Sequence, residues 1–214
     1  MIILDFGSAT TCKNDQQYVK RMIDELKEVD TGKHRIVIKW QLFLNIPPVP
    51  PLSWAAFDYA YHHAKKRGYE TTASVFDLPS LKYLLGYEIP FVKIANRPER
   101  RWLIGEIPRR VPVYASFSSV QNDFYEWEPS WRIDQPMWCV SKYPAVVADY
   151  DKMFVDSRTP ILMAYSAISD HTTDFELYYK YEPEIIEWHY KLKDSTGPDA
   201  GPFARTPEQL AGVL

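Results

Sequence analysis

Eight short runs rich in β-branched and aromatic residues recur along the chain, and most are followed by a helical or turn-rich segment. The runs are residues 2–6, 35–40, 70–75, 90–94, 111–116, 136–141, 160–165 and 184–189. Strands that alternate with helices are typical of α/β proteins with parallel strands. Eight such strands close a (β/α)8 barrel, so the alternation predicts that architecture.

Helical spacing between the runs supports this interpretation. Residues 13–33 repeat apolar residues at the spacing of an amphipathic helix, namely Val19, Met22, Ile23, Leu26 and Val29. Residues 53–68 predict a second helix, with Ser53 as its N-cap and Gly68 just past its end. Shorter helices are predicted within residues 78–86, 143–154 and 206–214.

The length of the chain limits what can surround such a barrel. Barrels of this kind take about 250 residues, with about 200 near the minimum, and the chain has 214. We therefore predict a single, near-minimal TIM-barrel domain over residues 1–214, with one or two helices shortened or irregular. Residues 117–135 show little helical periodicity, and residues 171–183 are short and aromatic. The alternative is an open doubly wound sheet, although no GxGxxG turn follows the first run.

Charge and composition narrow the classes of function. The net charge of −3 offers no bulk attraction for nucleic acid or an anionic membrane. No apolar run approaches the ~20 residues of a membrane helix, and "MIILDFG" lacks the features of a signal peptide. Cys12 and Cys139 form no CxxC pair, so a reducing cytoplasm is the expected compartment.

Polar side chains collect where the predicted strands end, which is where barrel enzymes place their sites. They are Asp5, Lys39, Gln41, Ser74, Lys93, Asn96, Ser116, Ser141, Ser169, His171 and His189. Two lysines among hydroxyl and amide groups would suit a doubly anionic ligand, such as a phosphate ester with a carboxylate. Two imidazoles beside them would suit a first-row divalent metal.

Each of these residues also has a structural explanation when it is taken alone. A lysine in a strand can extend to solvent, and a lone histidine at a strand end is more often structural than a ligand. Lys39 and Lys93 occupy equivalent positions in two apolar strands. A lysine there is costly unless it faces a partner or a wet cavity, so the pair favours a site.

Several of these segments carry a resemblance to a known family. They are "IILDFG", "VIKWQ", "SVFD", "IPFVKIAN", "VPVYAS", "WCVSKYP", "SDHT" and the C-terminal series "IIEWHY", "GPDA" and "TPEQL". In this order they resemble the barrel of the sialic acid synthases, which condense phosphoenolpyruvate with an N-acetylated hexosamine. "SDHT" and the C-terminal series are the most specific.

The resemblance implies a role for each matched residue. His171 and His189 would bind a divalent metal, usually Mn²⁺, with Mg²⁺ or Co²⁺ as alternatives. Lys39 and Lys93 would hold the phosphate and carboxylate of phosphoenolpyruvate and, with Asp5, form the catalytic set. The remaining substrate-binding residues would be Ser74, Asn96, Ser116, Ser141 and Ser169 toward phosphoenolpyruvate, Gln41, Phe76 and Tyr143 toward the sugar, and Asp199 beside His189.

The chain also departs from the family pattern. Asp5 replaces a glutamate, Pro98 falls where the family has a carboxylate, and the segment "WCVSKYP" lacks a histidine. The loop after the second strand is reduced to a proline-rich segment, and we expect no C-terminal antifreeze-like domain. Because the family's dimer rests partly on that domain, both a monomer and a homodimer stay open.

Three functions follow from this pattern. The main hypothesis is a metal-assisted transferase that joins phosphoenolpyruvate to an N-acetylhexosamine or related aldose, giving a 2-keto-3-deoxy sugar acid and phosphate. The alternative is a barrel that has lost turnover and acts as a binding or assembly module. A third hypothesis is a hydrolase or aldolase at the same metal site.

Overall fold

The computed structural model describes residues 1–118, 132–156 and 166–214. Eight parallel strands form a closed barrel in which β1 pairs with both β2 and β8. The strands are β1 (Ile2–Asp5), β2 (Ile36–Leu42), β3 (Glu70–Val75), β4 (Val92–Ile94), β5 (Val113–Phe117), β6 (Gln135–Cys139), β7 (Ala167–Asp170) and β8 (Ile185–His189). The predicted (β/α)8 barrel is confirmed, and the open doubly wound sheet is wrong.

Helices connect the strands and cover the barrel. They are α1 (Ala9–Cys12), α2 (Gln16–Val29), α3 (Trp54–Lys66), α4 (Leu78–Leu84), α5 (Val147–Asp156), α6 (Glu176–Tyr181) and α7 (Pro207–Leu210), with 3₁₀ helices at Pro98–Glu106 and Pro198–Ala200. The predicted Ser53 cap is present, since Ser53 Oγ accepts a hydrogen bond from Ala56 N, and Thr206 forms a capping box with Gln209 at the start of α7. None of the described helices combines the length and apolar character needed to cross a membrane.

Shortened and irregular helices occur as predicted, although the irregular one that the structure describes follows β4, whereas one was expected after β5. The connection from β4 to β5 is the 3₁₀ helix, and only Arg101, Leu103 and Ile104 of its residues are buried. With so few buried residues, this segment offers an α-helix little apolar surface to pack against the barrel. The helix α6 has 6 residues. Most of the predicted weak segment 117–135 lies outside the described residues.

The seventh strand was predicted at residues 160–165, and the structure places it at Ala167–Asp170. The predicted run itself lies outside the described residues. β7 pairs Ser169 with Cys139 of β6 and with Glu187 of β8. A strand must match its two neighbours in register, and apolar composition alone does not reveal which residues do so.

The barrel interior is divided into an apolar layer and a polar layer. Toward the amino ends of the strands it is filled by Ile3, Val37, Phe91, Met137, Ala167 and Ile185. Residues two positions further along a strand face the same interior. Those residues are Asp5, Lys39, Lys93, Cys139, Ser169 and Glu187, and all are buried. The alternation thus places the charged groups next to the apolar layer, on the side of the carboxyl ends of the strands.

Candidate active site

A cavity of about 850 Å³ opens at the carboxyl ends of the strands. All of the residues predicted for the site line it: Asp5, Lys39, Gln41, Ser74, Phe76, Lys93, Asn96, Ser116, Ser141, Tyr143, Ser169, His171, His189 and Asp199. The barrel brings them together because parallel strands all end on one face. Their individual roles stay predictions.

Lys39 is held by a carboxylate on the adjacent strand. Its Nζ lies 2.6 Å from Asp5 Oδ2 and donates to Ser74 Oγ at 3.1 Å. Burial opposes the charge of this lysine, but Asp5 and Glu187 together raise the pKa of Lys39. Burial likewise opposes ionisation of Asp5, yet Lys39, His189 and the Gly7 N–H hold the pKa of that carboxyl below its ordinary value. Both groups are therefore charged at neutral pH.

Lys93 has a different environment. Its Nζ donates to Ser116 Oγ at 2.6 Å, and the nearest carboxylate oxygen among the described residues, Glu187 Oε2, is 3.9 Å away. Burial lowers the pKa of Lys93, and the charge of Glu187 only partly offsets this effect. Lys93 is thus the lysine with the weaker carboxylate partner, and an added anion beside it would favour its ammonium form.

Glu187 lies between the two lysines and was missed by the sequence analysis. Ser169 Oγ donates to its Oε1 at 3.0 Å, and the Nζ of Lys39 is 3.6 Å from the same oxygen. Although burial raises the pKa of Glu187, the two lysines lower it overall. The alternation of β8 could have revealed this residue, because Glu187 is two positions before His189 and so shares its face.

His171 is fixed in one tautomer by the backbone. Its Nδ1 lies 2.7 Å from the carbonyl oxygen of Val140, which can only accept, so Nδ1 carries the proton and donates. Burial, together with the nearby His189, lowers the pKa of His171 to about 3. The ring is therefore neutral, and its Nε2 lone pair remains available, 3.3 Å from Ser169 Oγ.

His189 faces two carboxylates. Its Nδ1 lies 3.5 Å from Asp199 Oδ1 and 3.9 Å from Asp5 Oδ2, and it forms no hydrogen bond within the part of the chain that the structure describes. Gln41 Nε2 donates to both of these carboxylates, at 2.9 Å and 3.0 Å. Burial raises the pKa of Asp199.

Whether this donor set fits a divalent metal can be judged from its geometry and charge. Among the described residues, no group of three His, Cys, Asp or Glu side chains is arranged to hold a metal ion. The ring centroids of His171 and His189 are 5.6 Å apart. Metal–nitrogen bonds of about 2 Å would place two ligand rings at about this separation. The buried Nδ1 of His189 has no hydrogen-bond partner among the described residues. The spacing and chemistry of the two imidazoles are therefore compatible with two protein ligands of a metal ion.

The charge of the cavity supports the same conclusion. Among the described residues, four carboxylates line it, the buried Asp5 and Glu187 with the less buried Asp199 and Glu99, against three cationic groups, those of Lys39, Lys93 and Arg97. A cation near Asp199 would favour the ionised form of this carboxyl group and offset the excess of negative charge.

Aromatic and charged residues from loops form the upper part of the cavity. The ring of Tyr143 packs against His171 with centroids 4.2 Å apart, and Phe203 lies 4.9 Å from His189. Arg97 and Glu99 are exposed and line the cavity after β4. Phe203, Arg97 and Glu99 were missed, because loop conformation rather than periodicity places them there.

A buried ion pair, Arg205 with Asp170, fixes the backbone next to His171 and His189. Arg205 donates to the carbonyl oxygens of Thr172 and Phe203 at 2.7 Å and lies 3.4 Å from Asp170 Oδ2. Its backbone N–H donates to His189 O at 2.8 Å. Asp170, which precedes His171, also accepts from Trp188 Nε1 at 2.8 Å. This pair forms between residues distant in the chain, so no local pattern in the sequence predicts it.

The fold and the site together define a (β/α)8 barrel with buried lysines, carboxylates and two histidines at the carboxyl ends of its strands. Among solved structures, the chain is similar to the N-acetylneuraminic acid (sialic acid) synthetase of Leptospira borgpetersenii serovar Hardjo-bovis, with 22% identity and a TM-score of 0.72 over 99% of this chain and 80% of that one.

Two further structures have the same fold. The spore coat polysaccharide biosynthesis protein E of Chromobacterium violaceum gives 18% identity and a TM-score of 0.75, over 99% of this chain and 71% of that one. A truncated 3-deoxy-D-arabino-heptulosonate 7-phosphate synthase of Thermotoga maritima gives 11% identity and 0.60, over 99% and 83%. No protein-family model and no curated protein sequence matches the chain. The predicted resemblance to sialic acid synthases is confirmed at the level of the fold.

Proposed function

We propose that the protein condenses phosphoenolpyruvate with an open-chain aldose, such as an N-acetylhexosamine, to form a 2-keto-3-deoxy sugar acid and phosphate. The observation that carries the proposal is the pair of buried lysines, Lys39 and Lys93, facing one cavity beside two buried histidines. Buried ammonium groups are costly unless they serve a charged partner. Two proteins that share the fold are named as synthases of N-acetylneuraminic acid and of 3-deoxy-D-arabino-heptulosonate 7-phosphate.

The reaction balances with one water as the only further reactant. Carbon C3 of phosphoenolpyruvate attacks the aldehyde carbon, so a C–C bond forms and the aldehyde oxygen takes a proton. The water adds its oxygen at C2 and supplies that proton, the bond between C2 and the phosphate oxygen breaks, and the proton of the new C2 hydroxyl group leaves with the phosphate. Inorganic phosphate leaves, and C2 becomes the keto group of the product.

The residues of the cavity floor would hold the donor and its developing charge. Lys93, whose nearest carboxylate oxygen in the described part of the chain is 3.9 Å away, has the greater capacity to bind an added anion. Asn96 Nδ2 donates to Ser141 Oγ at 3.0 Å, which fixes this hydroxyl group at the cavity surface. Fixed donors of this kind stabilise negative charge without reorganising during the reaction.

His171 and His189 would hold the divalent cation, Mn²⁺ by the resemblance, with Mg²⁺ and Co²⁺ as alternatives. Lewis acidity toward the aldehyde oxygen is the chemistry that such a cation supplies when bound. Because the Nδ1 proton of His171 is donated to the Val140 carbonyl oxygen, Nε2 is unprotonated and keeps its lone pair. The Arg205–Asp170 pair holds the backbone on both sides of this histidine.

One observation favours the alternative of a barrel that binds ligands without turnover. Lys39 is already neutralised by Asp5 at 2.6 Å, and Pro98 stands where the family has a carboxylate. This alternative predicts that phosphoenolpyruvate binds but no phosphate is released.

Calorimetric titration of phosphoenolpyruvate, with and without Mn²⁺, tests the donor site, and phosphate release with a panel of aldoses tests turnover. We expect Mn²⁺-enhanced binding that Lys93→Met and His189→Ala weaken at least tenfold. Lys65→Met is the matched control, because this lysine is exposed on α3. If the wild-type protein neither bound phosphoenolpyruvate nor released phosphate, the proposal would be wrong.

A further inference from the structure

The cavity has two chemically distinct parts. Its floor carries the lysines, carboxylates and histidines described above. One wall is apolar and is formed by the β2–α3 loop and the end of β3, with Phe43, Ile46, Val49 and Phe76. The rings of Phe43 and Phe76 meet edge to face with centroids 5.9 Å apart. We call these residues the apolar wall.

The apolar wall is held in place by hydrogen bonds outside the cavity. Asp77 accepts from Leu44 N at 2.7 Å and from Ser80 N at 2.8 Å, which ties the loop to the start of α4. Val49 N donates to Ile46 O at 2.9 Å.

At the far end of the loop, Asn14 donates to Pro51 O at 3.2 Å and accepts from Ser53 N at 2.8 Å. The wall therefore exists before any ligand arrives, and binding need not order it.

A fully hydroxylated sugar fits this wall poorly. A hydroxyl group turned toward Phe43 or Phe76 would lose its hydrogen bonds to water, and an aromatic ring does not replace them with hydrogen bonds of similar strength. An apolar substituent turned the same way would gain from leaving water, by about fourfold in affinity for each buried CH₂. Polar partners for the rest of the acceptor line the same cavity, at Gln41 and Asp199.

We propose that the acceptor is an aldose bearing an aliphatic acyl group longer than acetyl, which packs on the apolar wall. The proposal rests on the proposed function, because it assigns the acceptor of the same site. It makes Phe76 and Ile46 specificity-determining residues, since both are partly exposed to the cavity.

Calorimetry with N-acetyl-, N-butanoyl- and N-hexanoylhexosamine, each with and without saturating phosphoenolpyruvate, tests the inference. We expect the dissociation constant to fall about fifteenfold at each step of two methylenes. Ile46→Asn and Phe76→Asn should each flatten this dependence. Leu44→Asn should leave it unchanged, because Leu44 is 50% exposed and lies outside the cavity lining.

The outcomes separate the inference from the function on which it rests. If phosphoenolpyruvate binds and affinity is independent of acyl length, the inference is overturned and the proposed function stands. If phosphoenolpyruvate does not bind, the proposed function fails, and the series measured without it still decides whether the wall selects acyl chains. Chain-length dependence that survives in both wall variants, with their thermal unfolding unchanged, would also overturn the inference.

Discussion

Lys39 and Lys93 face the same cavity, but only Lys39 has a carboxylate in direct contact, with its Nζ 2.6 Å from Asp5 Oδ2. Lys93 donates to a serine hydroxyl instead. One lysine therefore belongs to a closed ion pair. The other has no such partner among the described residues, so an incoming anion would meet less competition there and would favour the ammonium form. This difference separates the roles of two residues that the sequence presents as equivalent.

Substitution of Lys39 should mainly reduce stability, whereas substitution of Lys93 should mainly reduce ligand affinity. Lys39→Met leaves the buried carboxylate of Asp5 unpaired and should lower the free energy of unfolding by about 3–5 kcal/mol. Lys93→Met should lower it less and should instead weaken phosphoenolpyruvate binding at least tenfold. Urea unfolding and calorimetry measure the two effects. Equal losses of stability in both variants would contradict the difference in pairing.

Glu187→Gln should tighten the binding of phosphoenolpyruvate. The carboxylate lies between two ammonium groups and repels an added anion, while the amide oxygen can still accept the hydrogen bond from Ser169. We expect the dissociation constant to fall several-fold, measured by calorimetry at low and high salt. Glu88→Gln, a change of an exposed carboxylate on the surface, is the control. Weaker binding in the Glu187 variant would mean that this residue serves the ligand directly.

The stability of the metal-free protein should fall as the pH drops from about 6.5 toward 4. The pKa of His171 is lowered to about 3 in the folded state, whereas an unfolded histidine titrates near 6.5. Between these values the unfolded chain binds a proton that the folded chain does not, so acid favours unfolding. His171→Gln should reduce the slope by about 1.4 kcal/mol per pH unit. Urea unfolding of the wild-type protein and the variant, with a chelator present and at several pH values, measures the free energy of unfolding of each. If the two plots of this free energy against pH are parallel, His171 does not have the lowered pKa.

The Arg205–Asp170 pair should behave as one unit. Arg205→Met leaves Asp170 and several carbonyl oxygens without their buried donor, and we expect a loss of about 3–5 kcal/mol in the free energy of unfolding. The double variant Arg205→Met with Asp170→Asn should recover part of that loss. A double-mutant cycle by chemical denaturation checks this coupling, and strictly additive effects would show that the two side chains act independently.

Local signals in the sequence were sufficient for much of the fold. Ser53 caps α3 as predicted because a hydroxyl before a helix meets the free N–H groups of the next residues. Gly68 follows that helix with a φ of +89°, a conformation that residues with a Cβ rarely adopt. The cost of placing a lysine in an apolar strand without a partner also indicated correctly that Lys39 and Lys93 face a cavity.

The seventh strand and Glu187 show where such signals fail. β7 is short, and its position follows from pairing Ser169 with both neighbouring strands, not from its own composition. Glu187 shares the face of His189, but its role depends on two lysines that come from β2 and β4. Those contacts exist only once the barrel is closed.

The sequence by itself determined the alternation of strands and helices, the helix caps and the gathering of polar residues at strand ends. Each of these depends on interactions between residues close in the chain. Tertiary structure decided which carboxylate pairs with which lysine, how Arg205 holds both histidines, and that Phe43 and Phe76 form one wall. These contacts join segments far apart in sequence, and their geometry is set by barrel closure and loop conformation, which no local pattern encodes.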